Sequence, residues 1–73
     1  VWVFDNEPRN KQIVSRIDDA IRSKEKVVIW PKQIKEKDIN DMVLSGLNPS
    51  DIIKRNTYQG LEAQVKFTDW KKV

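Results

Sequence analysis

The sequence has no cysteine and no histidine, only two glycines among its 73 residues, and no apolar run longer than four residues. Without cysteine there is no disulfide to staple a small core. Zinc and thiol chemistry are excluded within these residues, so a catalytic metal here has to be a hard cation held by oxygen. No segment approaches the roughly 18 apolar residues of a membrane span, and the N-terminus lacks the charged and apolar regions of a signal peptide. A soluble chain is expected. A large excess of one charge sign is missing too: 14 Lys and Arg face 11 Asp and Glu, interleaved along the chain for a net +3. Charge alone therefore does not select nucleic acid over a plain solvated surface. The length suits one domain, residues 1–73, with a core small enough to need a metal or a neighbour. Because the chain opens at Val1, directly inside an apolar run, the expectation is a fragment of a longer protein.

What is present is an alternation of short apolar runs and helical patterns. Val1–Phe4 is β-branched and aromatic and ends at Asp5-Asn6, which suits a strand buried on both faces. After Pro8, Asn10 is an N-cap candidate for a helix whose apolar stripe is Ile13, Val14, Ile17, Ala20 and Ile21. A second run, Val27–Trp30, stops at Pro31. Strand, helix and strand in this order predict two neighbouring parallel strands. A lysine-rich loop then leads to Asp38 and a short helix carrying Ile39, Met42 and Val43, with Gly46 at its C-terminal end. Asn48-Pro49-Ser50-Asp51 starts another helix, to about Arg55. In the tail, Leu61, Ala63, Val65 and Phe67 alternate with polar residues. This periodicity predicts a strand, although Leu61 and Val65 also fit a helix, and Trp70 is expected to pack back on the body.

The acids fall where such a fold binds ligands. In open α/β sheets the sites lie beyond the carboxyl ends of the strands. Asp5 and Glu7 follow the first strand, and Asp38 and Asp41 follow the loop after the second. On an extended chain residues i and i+2 point the same way, so Asp5 and Glu7 suit one ion. Asp38 also fits an N-cap, and Asp41 a solvated first-turn acid. Acids without histidine or cysteine suit Mg²⁺ or Mn²⁺ and phosphoryl-transfer chemistry. Lys37, Arg9 and Lys35 are candidates for phosphate contacts, against the ordinary role of a surface cation.

Taken together, Asp5-Asn6-Glu7, the helix, Val27-Val28-Ile29-Trp30-Pro31 and Lys37-Asp38-Ile39-Asn40-Asp41 resemble the Toprim domain of primases, topoisomerases and related nucleases. The run Val1–Arg9, the Lys37–Met42 segment and Gln59-Gly60-Leu61 are similar, more narrowly, to the primases of T4-type bacteriophages. The resemblance spans essentially all 73 residues. It implies the second half of an α/β Toprim domain: a partial parallel sheet, β-α-β, then short helices and a C-terminal strand. It also implies Asp5, Glu7 and Asp38 as catalytic metal ligands, Asp41 as a further candidate ligand, and Mg²⁺ or Mn²⁺ as cofactor. The implied activity is synthesis of RNA primers in the host cytoplasm, on single-stranded DNA, from ribonucleoside triphosphates, beside a replicative helicase. Two departures stand out: Asp-x-Glu replaces the commoner Asp-x-Asp, and Pro8-Arg9 follows in place of a small or glycine-containing turn. The family's upstream glutamate lies outside these residues, so the chain alone is expected to be inactive.

Three rivals remain at this level. Another Toprim enzyme, a topoisomerase or a nuclease, would cleave DNA; a topoisomerase would add a catalytic tyrosine, and Tyr58 is the one tyrosine. A receiver-like phosphoacceptor module would also put an aspartate at a strand end, with its acid pair on an earlier strand. A noncatalytic interaction module would use exposed sheet edges. Trp2, Trp30 and Trp70 are read as packing residues before base-stacking ones.

Overall fold

A computed structural model describes all 73 residues. The order of elements is α1 (Lys11–Arg22), β1 (Val27–Val28), α2 (Ile39–Leu44), α3 (Pro49–Arg55), β2 (Thr57–Tyr58) and α4 (Gly60–Trp70). Helix α1 begins where expected: the Asn10 side chain accepts from the backbone N–H groups of Gln12 and Ile13. Its stripe buries Ile17, Ala20 and Ile21. Asp38 caps α2 by accepting from the Asp41 N–H, and Asn48 caps α3 from the Asp51 N–H with Pro49 at the first helical position. Gly46, just past α2, has φ +84, a left-handed conformation that a side chain would strain.

The run Val27–Trp30 is the spine. All four residues are buried, and alternate ones serve opposite faces. Val27 and Ile29 pack with Ile17, Ala20 and Ile21 of α1 and Ala63, Phe67 and Trp70 of α4. Val28 and Trp30 pack with Met42, flanked by Ile34, Leu47, Ile52 and Ile53. The result is an α/β layering with helices on both faces of a very small sheet. Every buried residue is apolar.

The sheet differs from expectation in two places. The two strands that pair as a ladder, β1 and β2, are antiparallel, with Val27 opposite Tyr58 and Val28 opposite Thr57. Val1–Phe4 is neighbour to β1 and parallel to it, but through a single bridge, Trp2 to Val27. Trp2 N–H donates to Lys26 C=O and Val28 N–H to Trp2 C=O, both at 2.9 Å. This run is not buried on both faces: Val1, Trp2 and Val3 are exposed. Only its last residue, Phe4, reaches the first core cluster, and the ring of Trp2 stacks on it at 5.8 Å.

The second correction concerns the tail, where residues 60–70 form α4 and not a strand. Ala63, Phe67 and Trp70 recur at helical spacing and are buried, while Leu61 and Val65 face out at 77% and 62% exposure. The alternation from Leu61 to Phe67 superposes a buried pair, Ala63 and Phe67, on an exposed pair. A helix satisfies the backbone polar groups of this segment internally. Trp70 packs back on the body as the sequence predicts.

Candidate metal and phosphate site

The chain leaves its first extended run through two successive turns. Glu7 N–H donates to Asp5 C=O at 2.9 Å, closing a three-residue turn centred on Asn6. Asn10 N–H then donates to Glu7 C=O at 3.0 Å, closing a β-turn with Pro8 and Arg9 at its centre. Proline is favoured at the first central position because its ring presets φ. The bend at Asn6 means that Asp5 and Glu7 are not consecutive same-side residues of a straight strand. Asp5 is exposed, whereas the side chain of Glu7 retains 26% of its accessibility.

Asn6 ties this turn to the loop before α2. Its backbone N–H donates to Lys37 C=O at 2.6 Å, and its side-chain Nδ2 donates to the carbonyls of Ile34 and Glu36, both at 3.0 Å. Its Oδ1 accepts from Trp70 Nε1 at 3.0 Å. From the other side, Trp30 Nε1 donates to Phe4 C=O at 2.8 Å. In the same loop, hydrogen bonding by its own backbone N–H and by Ser45 lowers the Glu36 carboxyl from its ordinary value. The acid-bearing turn and the segment entering Asp38 therefore share one rigid edge.

The sequence candidates separate into two groups on that edge. Glu7, Arg9 and Lys37 meet in an open cleft of about 590 Å³, lined also by Asn6, Pro8, Asn10 and Lys72. Lys37 Nζ lies 3.8 Å from Glu7 Oε2. Asp38 and Asp41 lie outside this lining: Asp38 Oδ1 is occupied by the Asp41 N–H at 2.9 Å, and Asp41 is exposed in the first turn of α2. No three acids converge closely enough to enclose an ion. Glu7 is the one carboxylate lining the cleft. Mg²⁺ is usually held by one or two carboxylates plus waters and substrate phosphates, without an all-protein cage. Lys35 lines an adjoining groove with Lys32, Ile34 and Trp70, which shares Asn6, Pro8 and Lys72 with the first. Tyr58 stands elsewhere, on β2, with its hydroxyl on Asn56 Oδ1 and Lys66 Nζ 5.5 Å from its ring centre.

Over its whole length the chain is 37% identical to the DNA primase of Enterobacteria phage T4. The alignment runs over 78 positions and takes in 23% of that primase, so the chain spans about a quarter of the relative's length. No protein-family model matches the chain.

Two members of the site carry no signal at sequence level. Asn6 sits between two acids and reads as the spacer of the pair, yet it organises the edge. Lys72 is one of two adjacent lysines after the last apolar residue and reads as a solvated tail. Trp70, expected only to pack, also donates the hydrogen bond that orients Asn6. The separation of 64 residues between Trp70 and Asn6 hides that link from any local pattern.

Proposed function

We propose that the chain is part of a phage-type DNA primase and forms the second half of a Toprim catalytic domain, contributing acids to its nucleotidyl-transfer centre. The observation that carries this reading is the lacing of the Asp5-Asn6-Glu7 turn to the Lys37-Asp38 loop through Asn6, within a chain similar throughout to a primase segment. That lacing brings the two acid-bearing segments of the Toprim pattern to one edge.

In this reading Glu7 and Asp5 offer carboxylate oxygens from the turn, and Asp38 offers Oδ2, the oxygen its capping bond leaves free. Asp41 is a further donor one helical turn on. Bound there with substrate phosphates, Mg²⁺ or Mn²⁺ would supply charge neutralisation and an activated 3′-hydroxyl for in-line displacement of pyrophosphate. Arg9 and Lys37 would hold phosphate oxygens, the guanidinium by paired N–H donors and the ammonium as a point charge. The whole protein would act on single-stranded DNA and ribonucleoside triphosphates beside a replicative helicase in the host cytoplasm. The remaining acid of the Toprim set would come from outside these residues, so the chain alone would be inactive. The placement of Tyr58, away from the cleft and hydrogen-bonded to Asn56, gives a topoisomerase reading no support.

The test is Mn²⁺ titration of the isotope-labelled chain, followed by paramagnetic line broadening, together with Glu7→Gln and Asp38→Asn in the whole protein. Broadening centred on Asp5–Glu7 and Lys37–Asp38 is expected, with primer synthesis reduced about 10²-fold in each variant. Broadening spread over surface acids, with primer synthesis intact in both variants, would remove the catalytic assignment.

A further inference from the structure

Glu7 is bracketed by two bonds from the end of α4. On one side of it, Asn6 Oδ1 accepts from Trp70 Nε1 at 3.0 Å. On the other, Pro8 C=O accepts from the Lys72 backbone N–H at 2.8 Å. Both chain neighbours of one acid are therefore tied to a single segment, Trp70–Lys72. That segment is itself fixed. Trp70 is buried in the core cluster shared with α1, and the Lys71 N–H donates to Phe67 C=O at 2.9 Å. Lys71 then leaves helical geometry, at φ −66 and ψ 147, and the next N–H meets Pro8. The Lys72 side chain has no comparable anchor: the residue is exposed, and its ammonium belongs to none of the ion pairs. Glu7 differs from the other candidate acids in the same sense, since its side chain keeps 26% of its accessibility while Asp5 and Asp41 are exposed.

We infer that Trp70 and Lys72 are positioning residues for Glu7: the end of α4 fixes the backbone from Asn6 to Pro8 and so directs the Glu7 carboxylate, with Lys72 acting through its backbone N–H and not through its ammonium. The inference rests on the reading of Glu7 as part of a nucleotidyl-transfer centre, whereas the bonds do not depend on that reading. Asn6 anchors only one end of the turn. Beyond it, the bonds from Glu7 N–H to Asp5 C=O and from Asn10 N–H to Glu7 C=O close the chain on itself. A turn held at one end pivots as a unit and carries its carboxylate with it; the bond from Lys72 holds the second end. Displacing a reacting group by about 1 Å costs on the order of 10²-fold in rate. A misdirected Glu7 loses alignment in the transition state while other substrate contacts persist, so kcat falls and KM holds.

The experiment compares Lys72→Pro, which deletes the N–H, with Lys72→Ala, which keeps it. The ψ of Lys71 already suits a residue that precedes proline. In the 73-residue chain, amide exchange at Asn10 should accelerate about fivefold or more in Lys72→Pro and stay at the wild-type rate in Lys72→Ala. Ile17 and Met42, one in each core cluster, should keep their rates. In the whole protein, Lys72→Pro should lower kcat for primer synthesis about tenfold, with KM for ribonucleotides within about twofold. Trp70→Phe, which keeps an aromatic ring and loses the indole N–H, should repeat the kcat loss from the Asn6 side. Wild-type Asn10 exchange and kcat in Lys72→Pro would overturn the inference. So would equal acceleration in Lys72→Ala, or Ile17 and Met42 accelerating in step with Asn10 in both Lys72→Pro and Trp70→Phe, which is a loss of general stability. Intact primer synthesis in Glu7→Gln removes the catalytic reading instead, and Asn10 exchange, measured without substrate or metal, still decides whether the end of α4 holds the turn.

Discussion

Asn6 uses both hydrogens of its amide, its amide oxygen and its backbone N–H in bonds to four different residues: Ile34, Glu36, Trp70 and Lys37. Each net hydrogen bond is worth roughly 0.5–1.5 kcal/mol, and partners stranded by its loss cost more than the bond itself. Asn6→Ala is therefore expected to destabilise the fold by about 2–4 kcal/mol in urea unfolding. Asn6→Asp is nearly isosteric and keeps an acceptor for Trp70, yet it turns a carboxylate oxygen toward the carbonyls of Ile34 and Glu36. It should cost at least as much as alanine. A neutral Asn6→Asp would show that the amide does not hold the turn to the loop, and the account of the edge would fail with it. The neighbouring acids act differently, since Asp5 and Asp41 are exposed and their replacement by asparagine should leave stability within about 0.5 kcal/mol.

At the scale of elements, α4 offers the sharpest contrast, because a strand and a helix over the same residues predict different faces. As a strand, Leu61, Ala63, Val65 and Phe67 would be equivalent. As a helix, Ala63 and Phe67 are buried at 0% and 3% exposure while Leu61 and Val65 are open. Val65→Lys is expected to change stability by less than about 0.5 kcal/mol. Ala63→Leu, forced against α1, should cost about 1–3 kcal/mol. Equal effects at the two positions would contradict the helical face. The same element shows what a sequence discloses. The α1 stripe and the Asn48-Pro49 start were readable because cap, proline and periodicity agree there. Residues 61–67 carry two periods at once, and the local pattern gave no priority to Trp70, whose i+7 relation to Ala63 favours the helix. The position of the candidate acids after the two apolar runs was readable in the sequence. So was the capping of α2 by Asp38, whereas the bonds that tie Asn6 to the later loop and to Trp70, and the arrival of Lys72, were not, since each depends on contacts between distant segments.

For the molecule as a whole, one strand run serves two cores. Val27 and Ile29 belong to the cluster with α1 and α4, Val28 and Trp30 to the cluster around Met42, and adjacent residues of one backbone cannot order separately. A core of this size supplies only about 3–5 kcal/mol, and replacing a fully buried methionine by alanine costs about 2–5 kcal/mol. Met42 is 0% exposed, so Met42→Ala consumes most of the available stability. The consequence depends on how the two faces are coupled. Independent faces would leave α1 and α4 folded while α2 and α3 melt, whereas faces joined through Val27–Trp30 and through the Asn6 bonds would unfold together. The structure favours joint unfolding, because the loop leading to α2 is bonded to Asn6, and Asn6 is bonded to Trp70 at the end of α4. In Met42→Ala, far-UV circular dichroism and tryptophan fluorescence should lose signal at one urea midpoint, with the amide resonances of Ile17 and Phe67 disappearing alongside those of Ile52. Native resonances persisting for α1 and α4 after α2 and α3 have melted would mean that the acid-bearing turn and the Asp38 segment sit on separable halves, and a shared rigid edge could not then be the basis of the site.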